Sequence, residues 1–376
     1  MEEIKKLYPL GFLPIGETFV WGGNALAEKY DKKFVESDDQ GNEKRLEKGV
    51  KVAESHEVAD LGYRDSQVRD GWLAGNTLSE IMDMYLDRVV GENVFEYYGR
   101  QFPLGVKFID AHDRMPLVVS PDDEIAEQRY DFLGKVKMWY VVDATPASRI
   151  FLGFKKDVDV QDFYAGCADG SVEGLLNAVT PAKGDVFVIE PGTVHAAEGV
   201  TLLEVSEASP LDFCLSGWGK EVPEDEFDDN LSLVEALDFI DYKAYKPVPQ
   251  ADGKLVKRRE MTVTELNLKD PVHIIGEEAG SFAVYTCVAG EASVQVPDEE
   301  KRMDSYIIKA GDTLLVPSEV DDFYLVPRQS GTILIEAMVD KFEEEDKYID
   351  PEAEPQLPGE NEEFKFNSVY GRFSKN

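Results

Sequence analysis

The chain has 376 residues, 43% hydrophobic and 30% charged, enough for two cores of ordinary size in a water-soluble protein. Lys and Arg number 39 against 75 Asp and Glu, a net charge of −36. So negative a surface repels phosphate backbones and anionic lipids, which excludes nucleic acid and membrane as partners. It also disfavours an anionic substrate unless a pocket sets local cations against the global field; otherwise the acidity reads as a solvated, solubilising surface.

No apolar run approaches the roughly 18 to 20 residues that a membrane helix needs. The opening MEEIKKLYPL lacks the apolar segment of a signal peptide, so a cytoplasmic location is expected. Cys167, Cys214 and Cys287 are odd in number and far apart, which argues against a disulfide framework and a Cys-rich zinc site alike.

In chain order, LYPLGFLPIGETFVWGGNALAEKY is cut by Pro and Gly and predicts extended structure with turns rather than helix. Residues 31–51 are polar and predict a mobile surface loop, and Ala53 begins a short strand. Thr77 and Glu80 form a capping box ahead of Leu78, Ile81, Met82, Tyr85 and Val89 at helical spacing, which predicts a helix over 77–89. From Phe102 the texture becomes β-like: FPLGVKFIDA, MPLVVSPDDEIA, then KMWYVVDATPASRIFLGF. A helical interlude is expected over 160–177. Lys183 to Val205 then reads as a strand (Val186 to Ile189), a Pro-Gly turn, His195, and a second strand from Val200 to Val205. After Trp218 come an acidic linker, EVPEDEFDDN, and a short helix with Leu233, Ala236, Leu237 and Ile240 on one face.

A second β-rich block starts near Met261 and echoes the first. KGDVFVIEPGTVHAAEGVTLLEV aligns with AGDTLLVPSEVDDFYLV followed by TILIEAM. Each has Gly-Asp, a short apolar strand, a proline turn and a closing strand with a glutamate, Glu204 or Glu336, the sign of two related barrels. The second copy has no histidine at the turn, so its role is expected to be structural. Residues 341–376 are acidic and contain proline, which suggests a tail.

The order of LYPLGFLPIGETFVWGG, AESHEVAD, LAGNTLSEI, FPLGVKFIDA, SPDDEIA, GKVKMWYVVDA, KGDVFVIEPGTVHA and LVEALDFID resembles the type I mannose-6-phosphate isomerases over roughly residues 7–340. The resemblance implies a mainly β fold of two cupin-type jelly-roll barrels with a small helical segment. The expected domains are an N-terminal barrel with the ancestral pocket at 1–220, a linker and helical segment at 221–255, a C-terminal barrel at 256–340 and the tail at 341–376. It also implies zinc-dependent interconversion of mannose 6-phosphate and fructose 6-phosphate, in which a metal polarises the C1 and C2 oxygens while a base moves a proton.

The family's zinc ligands are a glutamine and a histidine two apart on one strand, a glutamate on the next, and the turn histidine. Spacing by two is needed because only alternate strand residues share a face. Here Val118 and Ser120 stand at the first pair and Lys137 at the glutamate, leaving His195 as the one retained ligand. Cys214 stands where the family has an arginine, and Pro116 where it has a serine. Valine offers no lone pair, a neutral hydroxyl is a poor zinc ligand, and an ammonium repels a cation by several kcal/mol at about 4 Å. Zinc is thus the family's cofactor, and no bound cofactor is expected here.

Lys107, Lys135 and Glu204 match family positions near the substrate. Solvated strand ends account equally for the lysines, and an ion pair with Lys137 for Glu204. A relocated metal site at His112, Asp110 and Asp113 competes with a plain solvated turn; His56 follows Glu54 and Ser55 on a strand, and His273 lies in the second barrel with no matching partners. The resemblance therefore implies a mannose-6-phosphate isomerase-like protein of carbohydrate metabolism with a degenerate zinc site and no family-type turnover, a pseudoenzyme in character. Its alternatives are a non-catalytic sugar or sugar-phosphate binder or regulatory protein with Lys107, Lys135 and Lys137 as a cationic pocket, and a metal-free isomerase with Lys137 as electrophile and His195 or Glu204 as base. In every case the partner is a small sugar or sugar phosphate.

Overall fold

A computed structural model describes residues 5–37, 43–219, 233–248, 254–276, 280–298 and 300–340. The acidic linker, 221–230, and the tail lie outside them. Strands hold more of the described backbone than helices do, and no helix among the described residues is long and apolar enough to cross a membrane.

The chain folds into two compact units, neither contiguous in sequence. The first, called here the His195 unit, takes the described residues of Pro14–Glu57 and Gly105–Gln250. The C-terminal unit takes those of Met1–Leu13, Val58–Leu104 and Ala251–Asn376. The helices of both units are short: α1 (Ala25–Tyr30), α2 (Leu78–Tyr85), α3 (Asp87–Val90), α4 (Glu92–Tyr98), α5 (Asp123–Tyr130), α6 (Val160–Asp169) and α7 (Leu233–Ala236).

The strands of the His195 unit are β1 (Ile15–Glu17), β2 (Val35–Ser37), β3 (Glu43–Arg45), β4 (Glu54–Val58), β5 (Leu104–Ala111), β6 (Leu117–Val119), β7 (Lys137–Phe154), β8 (Leu176–Val179), β9 (Val186–Ile189), β10 (His195–Glu207) and β11 (Phe213–Ser216). They run in the order β11-β6-β10-β5-β4-β1-β2-β3, and β7 pairs with β10, β8 and β9. The inner face buries Trp139, Val141, Ile150, Leu152, Phe154 and Leu202.

Local sequence explains where several expectations hold and where they fail. The Thr77 capping box is present: the Thr77 hydroxyl accepts from Glu80 N at 3.4 Å, and Glu80 Oε2 accepts from Thr77 N at 3.0 Å. The helix it starts ends at Tyr85 rather than Val89, because Leu86 takes φ 51°, ψ −124°. The loop expected over 31–51 contains β2 and β3, and a helix, α1, follows Asn24 where extended structure was expected. MPLVVSPDDEIA is a strand only to Val119; Asp122 then accepts from Ile125 N at 2.9 Å and caps α5. The interlude over 160–177 is α-helical to Asp169 and continues as a 3-10 turn over Val172–Gly174. Gly170, at φ 77°, ends α6, and Leu176 already belongs to β8.

The C-terminal unit contains β12 (Val256–Lys257), β13 (Thr262–Leu268), β14 (Val272–Ile275), β15 (Ala283–Ala289), β16 (Glu291–Pro297), β17 (Met303–Lys309), β18 (Thr313–Val316), β19 (Asp322–Pro327) and β20 (Thr332–Met338). They form two antiparallel sheets, β12-β13-β20-β15-β18 and β14-β19-β16-β17. Tyr285, Cys287, Val294, Ile308, Phe323 and Leu334 fill the core between them.

The internal echo in the sequence is a structural repeat down to single hydrogen bonds. Gly184 N donates to Val141 O at 2.8 Å and Val141 N to Asp185 O at 2.9 Å; Gly311 N donates to Cys287 O at 2.8 Å and Cys287 N to Asp312 O at 3.0 Å. Each aspartate also accepts from the backbone three residues earlier, Asp185 from Ala182 at 2.8 Å and Asp312 from Lys309 at 3.1 Å. In register, Trp139 faces Glu204 and Phe187 in one unit, as Tyr285 faces Glu336 and Leu314 in the other. Both glutamates accept from the aromatic residue opposite, from Trp139 Nε1 at 2.6 Å and from Tyr285 OH at 2.8 Å. In the C-terminal unit that bond satisfies a carboxyl that burial pushes above its ordinary range. Tyr285→Phe should therefore lower unfolding stability by about 1–3 kcal/mol in urea denaturation, the cost of a buried acceptor left without its donor.

Candidate active-site cavity

The strand period of two decides which side chains meet. Lys135, Lys137 and Trp139 alternate along one side of β7 and its approach, and Lys107 and Ile109 do so on β5. His195 opens β10 directly opposite Val118 of β6, and Val118 in turn faces Cys214 of β11. The positions that the resemblance assigned to a metal site thus come together, around a cavity of about 40 Å³ lined by Trp21, Glu54, Lys107, Val118, Lys137, Trp139, His195, Glu204 and Asp212.

His195 is fully buried. Its Nδ1 lies 2.8 Å from the Thr193 carbonyl oxygen, which can only accept, so Nδ1 carries the proton. In the neutral ring Nε2 then presents a lone pair, and the Lys137 ammonium donates to it at 2.9 Å. Trp139 closes the other side, edge to face at 5.4 Å. Burial first, and the Lys137 charge second, push the imidazole down to about 3, so it stays neutral near pH 7.

Three ammonium groups and three carboxylates share this interior. Asp212 Oδ2 pairs with Lys135 Nζ at 2.7 Å, while Oδ1 pairs with Lys137 Nζ and accepts from Ser120 Oγ at 2.7 Å. Lys107 Nζ lies 2.8 Å from Glu54 Oε2 and 3.5 Å from Glu204 Oε1. Burial works against ionisation of Asp212 and Glu204, but the lysines outweigh it. Lys135, Lys137 and Lys107 hold Asp212 well below the ordinary carboxylate range, and Lys107, Lys137 and Lys135 bring Glu204 to about 2. Burial lowers the Lys135 ammonium, offset in part by Asp212; for Lys107, Glu204 and Glu54 overcome burial and raise it.

Two sequence expectations change here. The lysines do not form a cationic pocket, because Glu54, Glu204 and Asp212 balance Lys107, Lys135 and Lys137 charge for charge. Glu204 is paired with Lys107 and Trp139; the partner of Lys137 is Asp212. Asp212 was missed by sequence reading, yet a signal existed: two lysines two apart on a buried strand demand a carboxylate. Glu54 was likewise legible as an acid two residues before His56 on β4.

The donor set does not suit zinc. Val118 offers nothing, Ser120 gives its hydroxyl proton to Asp212, and Lys137 occupies the lone pair of His195. Among the described residues no group of three or more His, Cys, Asp and Glu side chains could hold a metal ion, and this includes Asp110, His112 and Asp113. Asp110 instead accepts from Ala25 N at 2.7 Å. His273 bonds Asp322 at 2.7 Å and stacks on Tyr324.

Two measurements test this electrostatic structure. The folded-state pKa of His195, about 3, lies below the unfolded value near 6.5, so the unfolded chain binds the extra proton. The His195 contribution to stability is whole above about pH 6.5 and is lost as pH falls towards 3, by up to ~1.4 kcal/mol per pH unit. Between pH 6.5 and 5, urea denaturation of His195→Gln should lack that slope. Asp212→Asn strands two buried ammoniums and should cost about 3–5 kcal/mol, read as a lowered denaturation midpoint at neutral pH.

No protein-family model matches the chain. Mannose-6-phosphate isomerase ManA of Bacillus subtilis (strain 168) is 26% identical over 334 residues, covering 84% of this chain and 95% of that protein. A second protein of the same organism, named Probable mannose-6-phosphate isomerase GmuF, is 27% identical over 205 residues; the match spans 54% of this chain and 59% of that relative's length. The crystal structure of the mannose 6-phosphate isomerase from Bacillus subtilis superposes with a TM-score of 0.73 at 19% identity, covering 89% of this chain and all of that one. The fold is accordingly the mainly β, two-barrel cupin type expected from sequence. By sequence and fold the chain is a relative of the mannose-6-phosphate isomerases.

Proposed function

We propose that this chain is a mannose-6-phosphate isomerase-like protein of carbohydrate metabolism that has exchanged its metal site for an ammonium cluster. In this reading it no longer interconverts mannose 6-phosphate and fructose 6-phosphate by the zinc-dependent route. The observation that carries it is the Lys137 ammonium, 2.9 Å from His195 Nε2 and paired with Asp212. A cation there competes with any divalent ion for the one ligand retained.

Proton transfer is disfavoured for the same reason. A general base works best with a pKa near the operating pH, whereas His195 lies at about 3 and Glu204 at about 2. The cavity, at about 40 Å³, has room for one or two waters or a hydroxyl arm, and sites for whole small molecules run to several hundred Å³.

What the cavity does offer is recognition of a hydroxyl. Trp21 Nε1 and Glu204 Oε1 are buried polar atoms without a hydrogen-bond partner. Both residues line the cavity, where the first can donate to a hydroxyl and the second can accept from one. That pairing favours a non-catalytic binder of a sugar or sugar phosphate as the working form of the proposal.

Metal analysis of protein purified without chelator should find zinc far below one equivalent, and a coupled assay for fructose 6-phosphate should show no turnover. Near-stoichiometric tightly held zinc, or turnover lost in His195→Ala, would overturn the proposal. Turnover without metal that disappears in Lys137→Met would identify the metal-free isomerase instead. As a converse test, Val118→Gln, Ser120→His and Lys137→Glu combined should raise zinc content towards one equivalent, since they rebuild the ligand set that the resemblance implies.

A further inference from the structure

A groove of about 1110 Å³ in the C-terminal unit has no part in the chemistry above. It runs between the segment around Tyr8, the turn at 69–72 and the strands β16 and β17. Three aromatic rings form a row along it: Trp72 and Tyr8 have centroids 5.9 Å apart, and Tyr8 and Tyr306 stack at 6.1 Å. Trp72 is 40% exposed, an unusual placement for a large apolar ring.

The row is held in place before any ligand arrives. The Tyr8 hydroxyl donates to Asp70 O at 2.7 Å and accepts from Leu73 N at 3.1 Å. Its segment is tied down by paired backbone bonds between Leu10 and Leu315, at 2.7 and 2.9 Å. Gly71, at φ +87°, leaves the space that the Tyr8 ring end occupies; a Cβ there would meet the hydroxyl at 2.3 Å. A rigid platform of this kind has little ordering entropy left to lose on binding.

The charge around the rings narrows the ligand. Lys5, Lys6, Arg69, Asp70, Asp298 and Asp304 line the groove, three cations and three anions in a chain whose net charge is −36; Arg69 pairs with Asp70 at 2.5 Å and Asp298 with Arg302 at 2.8 Å. An anionic ligand would meet the three carboxylates, and a cationic one the three bases. A neutral ligand rich in hydroxyls can use both sets as donors and acceptors while its C–H face lies on the aromatic rings. The exposed Lys5 ammonium, 5.3 Å over the Trp72 ring, marks that face as the electron-rich surface such C–H groups would take over.

We propose that this groove binds a neutral saccharide of more than one ring, stacked on Trp72 and Tyr306 and hydrogen-bonded by Arg69 and the flanking aspartates. The site is separate from the His195 cavity and does not depend on the function assigned to it.

Isothermal titration calorimetry of the full chain with cellotriose, maltotriose and mannotriose tests this. At least one should bind saturably below about 10 mM. Trp72→Ala should weaken that binding at least tenfold, Trp72→Phe should retain most of it, and His195→Ala should leave it unchanged. Unaltered thermal melting of Trp72→Ala would show that the loss is local. No saturable binding by any of the three, or binding that survives Trp72→Ala and is lost in His195→Ala, would overturn the proposal. So would Trp72-dependent binding of a proline-rich peptide with none of a saccharide, because aromatic grooves also take polyproline helices.

Discussion

The His195 unit depends on one long antiparallel ladder. β10 pairs with β7 at eleven positions, from His195 opposite Leu152 to Ser206 opposite Lys137. Because strand side chains alternate and Trp139 stands opposite Glu204, this register fixes that Lys137, Trp139 and Glu204 share one face and line the same cavity. A slip by one residue would exchange buried for solvent-facing side chains throughout. The irregularities near Glu198–Val200 and Thr201–Leu202 let strands of 18 and 13 residues bend around a core rather than lie flat.

Charge balance is the second constraint, and it follows from the first. Once the ladder aims Lys135 and Lys137 inward, two ammonium groups lose water, and each would cost several kcal/mol without partners. Asp212 meets both, while Glu54 and Glu204 meet Lys107. The cluster thereby commits its own acceptors. An imidazole lone pair and a carboxylate that would otherwise serve a metal or a proton are used to keep lysines charged in the interior.

The repeat shows how far surroundings govern the same motif. Glu204 and Glu336 occupy matching positions on matching strands, and each accepts from the aromatic residue opposite. Lysines bring the first down to about 2 against the effect of burial, whereas burial raises the second. One backbone frame therefore supports a charged cavity in one unit and a packed hydrogen bond in the other. The side chains responsible are the three lysines, Lys107 first and then Lys137 and Lys135.

Local chemistry made part of this protein legible from its residues alone. Capping at Thr77, the apolar strand at Val186–Ile189, the Gly-Asp turns and the two-barrel repeat all rest on neighbours a few positions apart, and the structure contains them. The placement of Val118, Ser120 and Lys137 around His195 came from resemblance, and the strand register brings them there. Other features were not local. Leu86 breaks a helix whose apolar spacing runs on, and Asp212 lies 75 residues from Lys137, just outside a strand. A buried charge selects its partner by distance in space and by the loss of water, and neither is written in sequence spacing. That is why a line of lysines that reads as a cationic pocket becomes, in three dimensions, a neutral cluster.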